Sequence, residues 1–171
     1  AKSVAAVFEA LAKRHETLRT VFWMQDGQPR QVIHEQLQLQ VQLHDLSGAG
    51  EDARQQHARE LIAQEAGRAF DLQRGPLIRV SLLRLGEQEH VLLLTLHHII
   101  SDGWSMGVLV REVAELYEAQ RSGVLAPLQE LPIQYADYAA WQRQRLQGEY
   151  LQQLVEYWKQ QLQGAPALLE L

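Results

Sequence analysis

The sequence predicts a mixed α/β fold of the α+β kind, with helices packed on a mixed β-sheet. Apolar residues recur at helical spacing near the start and again after residue 102. Between these stretches, period-two alternation and short continuous apolar runs mark strands. Hairpin and helix signals interleave without an internal repeat, the order expected of helices layered on a sheet.

The elements follow in order. Val4, Val7, Phe8, Leu11, His15 and Leu18 fall on one helical face, predicting a helix over 3–18. Thr20–Met24, the turn pair Asp26-Gly27 and Gln31–His34 predict a hairpin. Leu37, Leu39, Val41 and Leu43 alternate with Gln36, Gln38, Gln40 and Gln42, a strand with one apolar face. A loop over Ser47-Gly48-Ala49-Gly50 leads to a helix over 51–67. Phe70-Asp71-Leu72 and Gly75-Pro76 punctuate the path to a strand at Leu77–Leu85. After a turn at 86–89, His90–Ile100 is apolar enough to predict a strand buried on both faces. Asp102-Gly103 breaks it, and a helix is expected to start near Ser105 as N-cap. Its buried stripe is Met106, Leu109, Val110, Val113, Leu116 and Tyr117. A loop over 122–132 holds two prolines, and helices are expected at 133–147 and 149–163, the second ended by Gly164 and Pro166.

At 171 residues the chain has the size of one domain or one lobe of something larger, enough to bury about 70% of its unfolded surface. With 46% hydrophobic and 22% charged residues it is not disordered, collagenous or coiled coil. A net charge of −5 gives no basic footprint for nucleic acid or an anionic membrane. No apolar run, Val91–Leu94 included, comes near the ~20 residues of a membrane span. The absence of cysteine removes disulfides, thiolate metal sites and a cysteine nucleophile, and fits a cytoplasmic setting. No signal-peptide pattern opens the chain.

The segment that carries chemistry is Leu96-His97-His98-Ile99-Ile100-Ser101-Asp102-Gly103-Trp104-Ser105. Strand alternation would send the two histidines to opposite faces, so one can line a channel as a base while the other packs. Imidazole suits proton acceptance near neutral pH. The residues alone equally allow a core strand ending in satisfied histidines, with Asp102 a turn residue. A metal site from His98 and Asp102 would want a helix to bring i and i+4 together. A serine triad would need a nucleophile elbow that Ser101 and Ser105 lack.

His97-His98-Ile99-Ile100-Ser101-Asp102-Gly103 resembles the HHxxxDG signature of condensation domains of nonribosomal peptide synthetases. Arg14-His15-Glu16-Thr17-Leu18-Arg19-Thr20 resembles their RHExLRT segment. Phe70-Asp71-Leu72 with Gly75-Pro76-Leu77 fits their connecting strand, and Tyr135-Ala136-Asp137-Tyr138-Ala139-Ala140-Trp141-Gln142 resembles YxDFAxWQ. HHxxxDG alone also marks chloramphenicol acetyltransferase-like enzymes, so the ordered set carries the specificity.

The resemblance implies a chloramphenicol acetyltransferase-like lobe and a reaction between carrier-bound substrates. The amine of an aminoacyl group on one carrier attacks the acyl or peptidyl thioester on another. His98 is then the catalytic residue, as base or as the group that positions the amine. His97, Asp102, Gly103 and Arg19 are expected to be structural at the site. Asp102 is expected to pair with Arg19 and to fix the loop after the histidines, and Gly103 to let its backbone approach the reacting carbonyl. Trp104 and Ser105 match the family's continuation, while Tyr135, Asp137 and Trp141 are expected to pack or cap.

The resemblance implies no cofactor and no metal of its own, since the substrates ride on phosphopantetheine. Partners are donor and acceptor peptidyl carrier domains, an adenylation domain in the parent chain and a C-terminal lobe, with neither nucleic acid nor membrane. Residues 1–171 are expected to be the N-terminal lobe, truncated at both ends relative to the family. The isolated lobe is expected to fold, or to associate with copies of itself, but to turn over slowly or not at all. Epimerising relatives lack the glycine after HHxxxD, and cyclising relatives replace both histidines with an aspartate pattern. Gly103, His97 and His98 therefore favour peptide-bond formation, and the Asp-Gly-Trp-Ser continuation mildly favours an L-configured donor. Two alternatives stand beside it: a related acyltransferase using coenzyme A or a carrier thioester, and a non-catalytic docking module.

Overall fold

The chain runs through α1 (Lys2–Arg14), a 3-10 turn (Glu16–Arg19), β1 (Thr20–Gln25), β2 (Gln28–Ile33), β3 (Val41–Asp45) and α2 (Glu51–Gly67). It continues with β4 (Ile78–Arg84), β5 (His90–Leu96), α3 (Gly103–Ser122), α4 (Tyr135–Arg145) and α5 (Gly148–Gln161). This computed structural model describes residues 2–37, 39–124, 128–166 and 168. They fall into two units, 1–131 and 132–171.

In the first unit β4 is the middle strand of a sheet of order β3-β4-β5, parallel to β3 and antiparallel to β5. The sheet is therefore mixed. Direct pairing puts Ile78 opposite Leu96, Val80 opposite Leu94 and Val41, and Leu82 opposite Leu92. Because strand side chains alternate, these residues share one face. Ile78 and Val80 join Val7, Phe8, Leu11 and Ala12 of α1 and Leu109 of α3 in the hydrophobic core. The other face, with Ser81, Leu83 and Leu93, meets Leu61 of α2, and Arg54 of α2 donates to the Leu85 carbonyl at 2.7 Å. The central strand is thus covered on both sides, while every residue of β5 keeps some exposure. The double burial expected of 90–100 does not occur, because β5 is an edge strand of this sheet.

The β1–β2 hairpin turns as expected at Asp26-Gly27, both with φ near the left-handed region (52° and 73°) that a two-residue primed turn requires. Its base is held by the segment 70–77. The Phe22 amide donates to the Leu72 carbonyl at 2.8 Å, and the Trp23 indole donates to the Gln73 carbonyl at 2.8 Å. Asp71 accepts from the amides of Arg74 and Gln73, which hold its carboxyl below the usual carboxylate range. Gly75 has φ 59°, and a Cβ there would stand 2.8 Å from Val21 Cγ1, so only glycine fits.

Several boundaries differ from expectation. The first helix stops at Arg14, and a 3-10 turn swings Leu18 into the core before β1. Leu37 and Leu39 pack against the core in an unpaired stretch, and the strand proper begins at Val41, which pairs with Val80. Gln38 and residues 125–127 of the expected loop lie outside the described residues. On α3, Val110 and Tyr117 face outward rather than into the core.

In the second unit, the Gln134 amide donates to Asp137 Oδ2 at 2.8 Å, capping α4. Tyr138 packs between Tyr135 and Trp141, with ring centroids 5.8 and 5.7 Å away. Arg145 lies over the rings of Trp141 and Tyr150, linking α4 to α5.

Phe8 is fully buried among α1, α3 and the sheet. Phe8→Ala is expected to destabilise the first unit by about 3–5 kcal/mol in urea unfolding followed by circular dichroism.

Candidate functional site

Backbone pairing sets where the histidines lie. β4 begins at Ile78, so β5 loses its partner at Leu96. His97 makes one last contact, its amide donating to the Leu77 carbonyl at 2.9 Å. The chain then turns over 98–100 instead of continuing as strand. The Ile100 amide and Ser101 hydroxyl both donate to the His97 carbonyl, at 3.0 and 3.3 Å. The Ile99 amide donates to His97 Nδ1 at 3.0 Å, so a neutral ring carries its proton on Nε2. The His97 ring also meets Phe70 edge-on, with centroids 5.8 Å apart, and the Arg79 guanidinium lies 3.7 Å over the Phe70 ring. Ile100 is buried. Between these anchors His98 is exposed. A turn, rather than alternation along a strand, gives the adjacent histidines their opposite fates.

Helix α3 starts at Gly103, with Asp102 as N-cap; Ser105, expected in that role, sits three positions into the helix. Asp102 Oδ1 accepts from the Ser105 amide at 2.8 Å, and the Asp102 amide donates to Ser105 Oγ at 2.7 Å. Aspartate is favoured here because it satisfies an orphan N–H at the positive end of the helix. The Ser105 amide first, and then its hydroxyl, hold the Asp102 carboxyl below the usual carboxylate range, with a smaller Coulombic contribution from His98.

The expected Asp102–Arg19 pair is not formed. Arg19 Nε donates to the Ala12 carbonyl at 3.1 Å, Nη1 to the His34 carbonyl, and Nη2 to Glu16 Oε1 at 3.3 Å. Arg19 thus ties the last turn of α1 to the 3-10 turn and the residue after β2. Asp102 is held by the helix amides instead. At Gly103 a Cβ would meet nothing within 4 Å, so no part of the chain crowds it. Trp104 is 86% exposed beside it.

Sequence reasoning missed Glu112, which is only 4% exposed in the middle of α3. Arg14 Nε lies 3.2 Å from both its carboxylate oxygens, and His15 Nε2 lies 2.6 Å from Oε2. The signal was present: position 112 is three residues after Leu109 and four before Leu116, so a charge there sits on the apolar stripe. The Arg14-His15 part of the RHExLRT-like segment therefore clasps α1 to α3. Beside this clasp, a cleft of about 150 Å³ separates the 3-10 turn from the 97–101 turn and the start of α3.

A mixed sheet backed by helices, with a histidine turn feeding an aspartate-capped helix, has a chloramphenicol acetyltransferase-like α/β fold. Comparison with known proteins gives the family. The Condensation domain model matches residues 1–171, and the chain belongs to that family. It is 43% identical over 170 residues to the phosphinothricin tripeptide synthetase PhsC of Streptomyces viridochromogenes, covering 99% of this chain and 16% of that protein. It is 48% identical over 164 residues to malpibaldin synthetase of Mortierella alpina, covering 95% of this chain and 3% of that one. Among solved structures, the X-domain in complex with OxyB from teicoplanin biosynthesis superposes with a TM-score of 0.86 at 32% identity, over 99% of this chain and 37% of that chain. The chain thus spans a small share of the synthetases it matches. No helix among the described residues is long and apolar enough to cross a membrane.

Two outcomes are expected. Glu112→Ala should cost about 3 kcal/mol in urea unfolding, the lower end for a broken buried ion pair, because Arg14 retains the Gln129 carbonyl. Because the folded Asp102 carboxyl has the lower pKa, its cap is fully stabilising above about pH 4, where the unfolded group ionises, and weakens as pH falls through the folded value. The difference in melting temperature between wild type and Asp102→Asn should therefore shrink in acid.

Proposed function

We propose that this chain supplies the histidine end of a peptide-bond-forming site, as the N-terminal lobe of a condensation domain in a larger synthetase. The observation that carries the proposal is the placement of His98, exposed on a turn whose flanking residues are fixed by hydrogen bonds, ring packing and burial. Family membership supports the same reading, as does a relative named as a tripeptide synthetase. The substrates are an acyl or peptidyl thioester donor and an aminoacyl acceptor. Each is tethered to phosphopantetheine on a peptidyl carrier domain of the parent assembly, which also holds an adenylation domain.

The chemistry asks little of the protein. A thioester is already activated, so holding the amine against the carbonyl supplies much of the acceleration. The amine nitrogen forms the C–N bond as the C–S bond breaks and the thiol of the donor tether leaves. His98 accepts a hydrogen bond or a proton from the amine, and that proton ends on the departing sulfur. Asp102, Gly103 and His97 hold the turn, and the open space at Gly103 leaves its backbone accessible to the carbonyl.

A second reading, a docking module that recruits another protein, is favoured by one finding: the similar X-domain is described in complex with OxyB. His98→Ala in the full-length parent synthetase separates the two. Amide product from loaded carriers should fall about 10²–10⁴-fold, while the unfolding midpoint stays put because the side chain is exposed. Undiminished product would favour docking, and product from a free coenzyme A ester in place of the loaded donor carrier would favour a related acyltransferase.

A further inference from the structure

The cleft beside the histidine turn contains a group that the proposed reaction does not use. Its walls are largely apolar, from Leu18, Leu96, Ile100, Met106 and Leu109, and His15 also lines it. The Nε2 of His15 is 2.6 Å from Glu112 Oε2. A carboxylate accepts, so Nε2 donates and the neutral ring has its lone pair on Nδ1. Among the described residues Nδ1 meets no hydrogen-bond partner. Glu112 is itself steadied by Arg14 Nε, 3.2 Å from both oxygens. The tautomer and ring plane are therefore set from behind. One fixed hydrogen-bond acceptor thereby belongs to a largely apolar cleft, which Thr17, Ser101 and Ser105 also line.

We infer that this cleft is a side-chain pocket of the condensation site, selecting a mainly apolar acyl side chain that carries one hydrogen-bond donor, with His15 as the specificity-determining acceptor. The inference rests on the peptide-bond-forming reading, because Ile100 and Ser101, which line the cleft, belong to the turn that carries His98. An apolar wall alone discriminates weakly between isosteres. His15 is half-buried, and an acceptor that the ligand itself covers must be matched, which discriminates against a ligand lacking the donor.

The test uses the full-length parent synthetase and two probes of nearly equal size, p-cresol and toluene, with affinities from saturation-transfer difference NMR. Wild type should bind p-cresol roughly fivefold more tightly than toluene at the site sensitive to residue 15. That preference should vanish in His15→Leu, with toluene binding maintained, and return in part in His15→Gln, which restores an acceptor. Glu112→Gln should narrow it, since the ring loses its anchoring charge. Loss of both probes to the same degree in His15→Leu would mean a merely structural histidine and overturn the inference, as would a preference that survives His15→Leu unchanged. His98→Ala should leave the probe affinities untouched. A failure of the amide-forming reading, seen as product formation that survives His98→Ala, is thus read separately from a failure of the pocket.

Discussion

β5 can pair only as far as β4 extends. The last rung is Ile78 with Leu96, and beyond it the Leu77 carbonyl takes one more amide, that of His97. The backbone then has to satisfy itself locally, and it does so through His97, whose carbonyl and Nδ1 accept within the next four residues. Ile100 drops into the core and Asp102 opens the next helix. His98 is the residue this arrangement sends outward. Its exposure is a by-product of where a neighbouring strand begins.

The second constraint joins the layers. α1 and α3 cover the same face of the sheet, mostly through apolar contact, but the clasp of Arg14 and His15 on Glu112 fixes their relation with charge-assisted bonds. Such a cluster is a weak source of net stability, because three polar groups are partly desolvated to form it. Its value lies in specificity of alignment. The 3-10 turn after α1 and the first turns of α3 form opposite walls of the cleft, and the clasp ties together the helices that carry them.

Much of this was legible in the residues. The hairpin turn, α2, the strand 78–84 and the apolar face of α1 followed from periodicity and turn chemistry, since each is decided by neighbours in sequence. The ends of β5 and the late start of β3 did not, because pairing depends on a strand elsewhere in the chain. At the site, His98 was singled out by its motif, and the structure leaves it exposed. The Asp102–Arg19 pair was misjudged for a physical reason: a carboxylate at a helix start finds amides nearby before it finds a distant guanidinium. Glu112 was overlooked because a charge on an apolar stripe reads as noise until its partners, nearly a hundred residues away, are known.

The capping aspartate also has an electrostatic meaning for its neighbour. A helix beginning so close to His98 presents the positive end of its dipole. Left bare, that end would oppose any positive charge appearing on the imidazole. Asp102 places an anion at the same spot, within Coulombic reach of His98, and so opposes the helix field there. The side chain that starts α3 thus sets a negative charge where its neighbour would otherwise face the bare end of a helix.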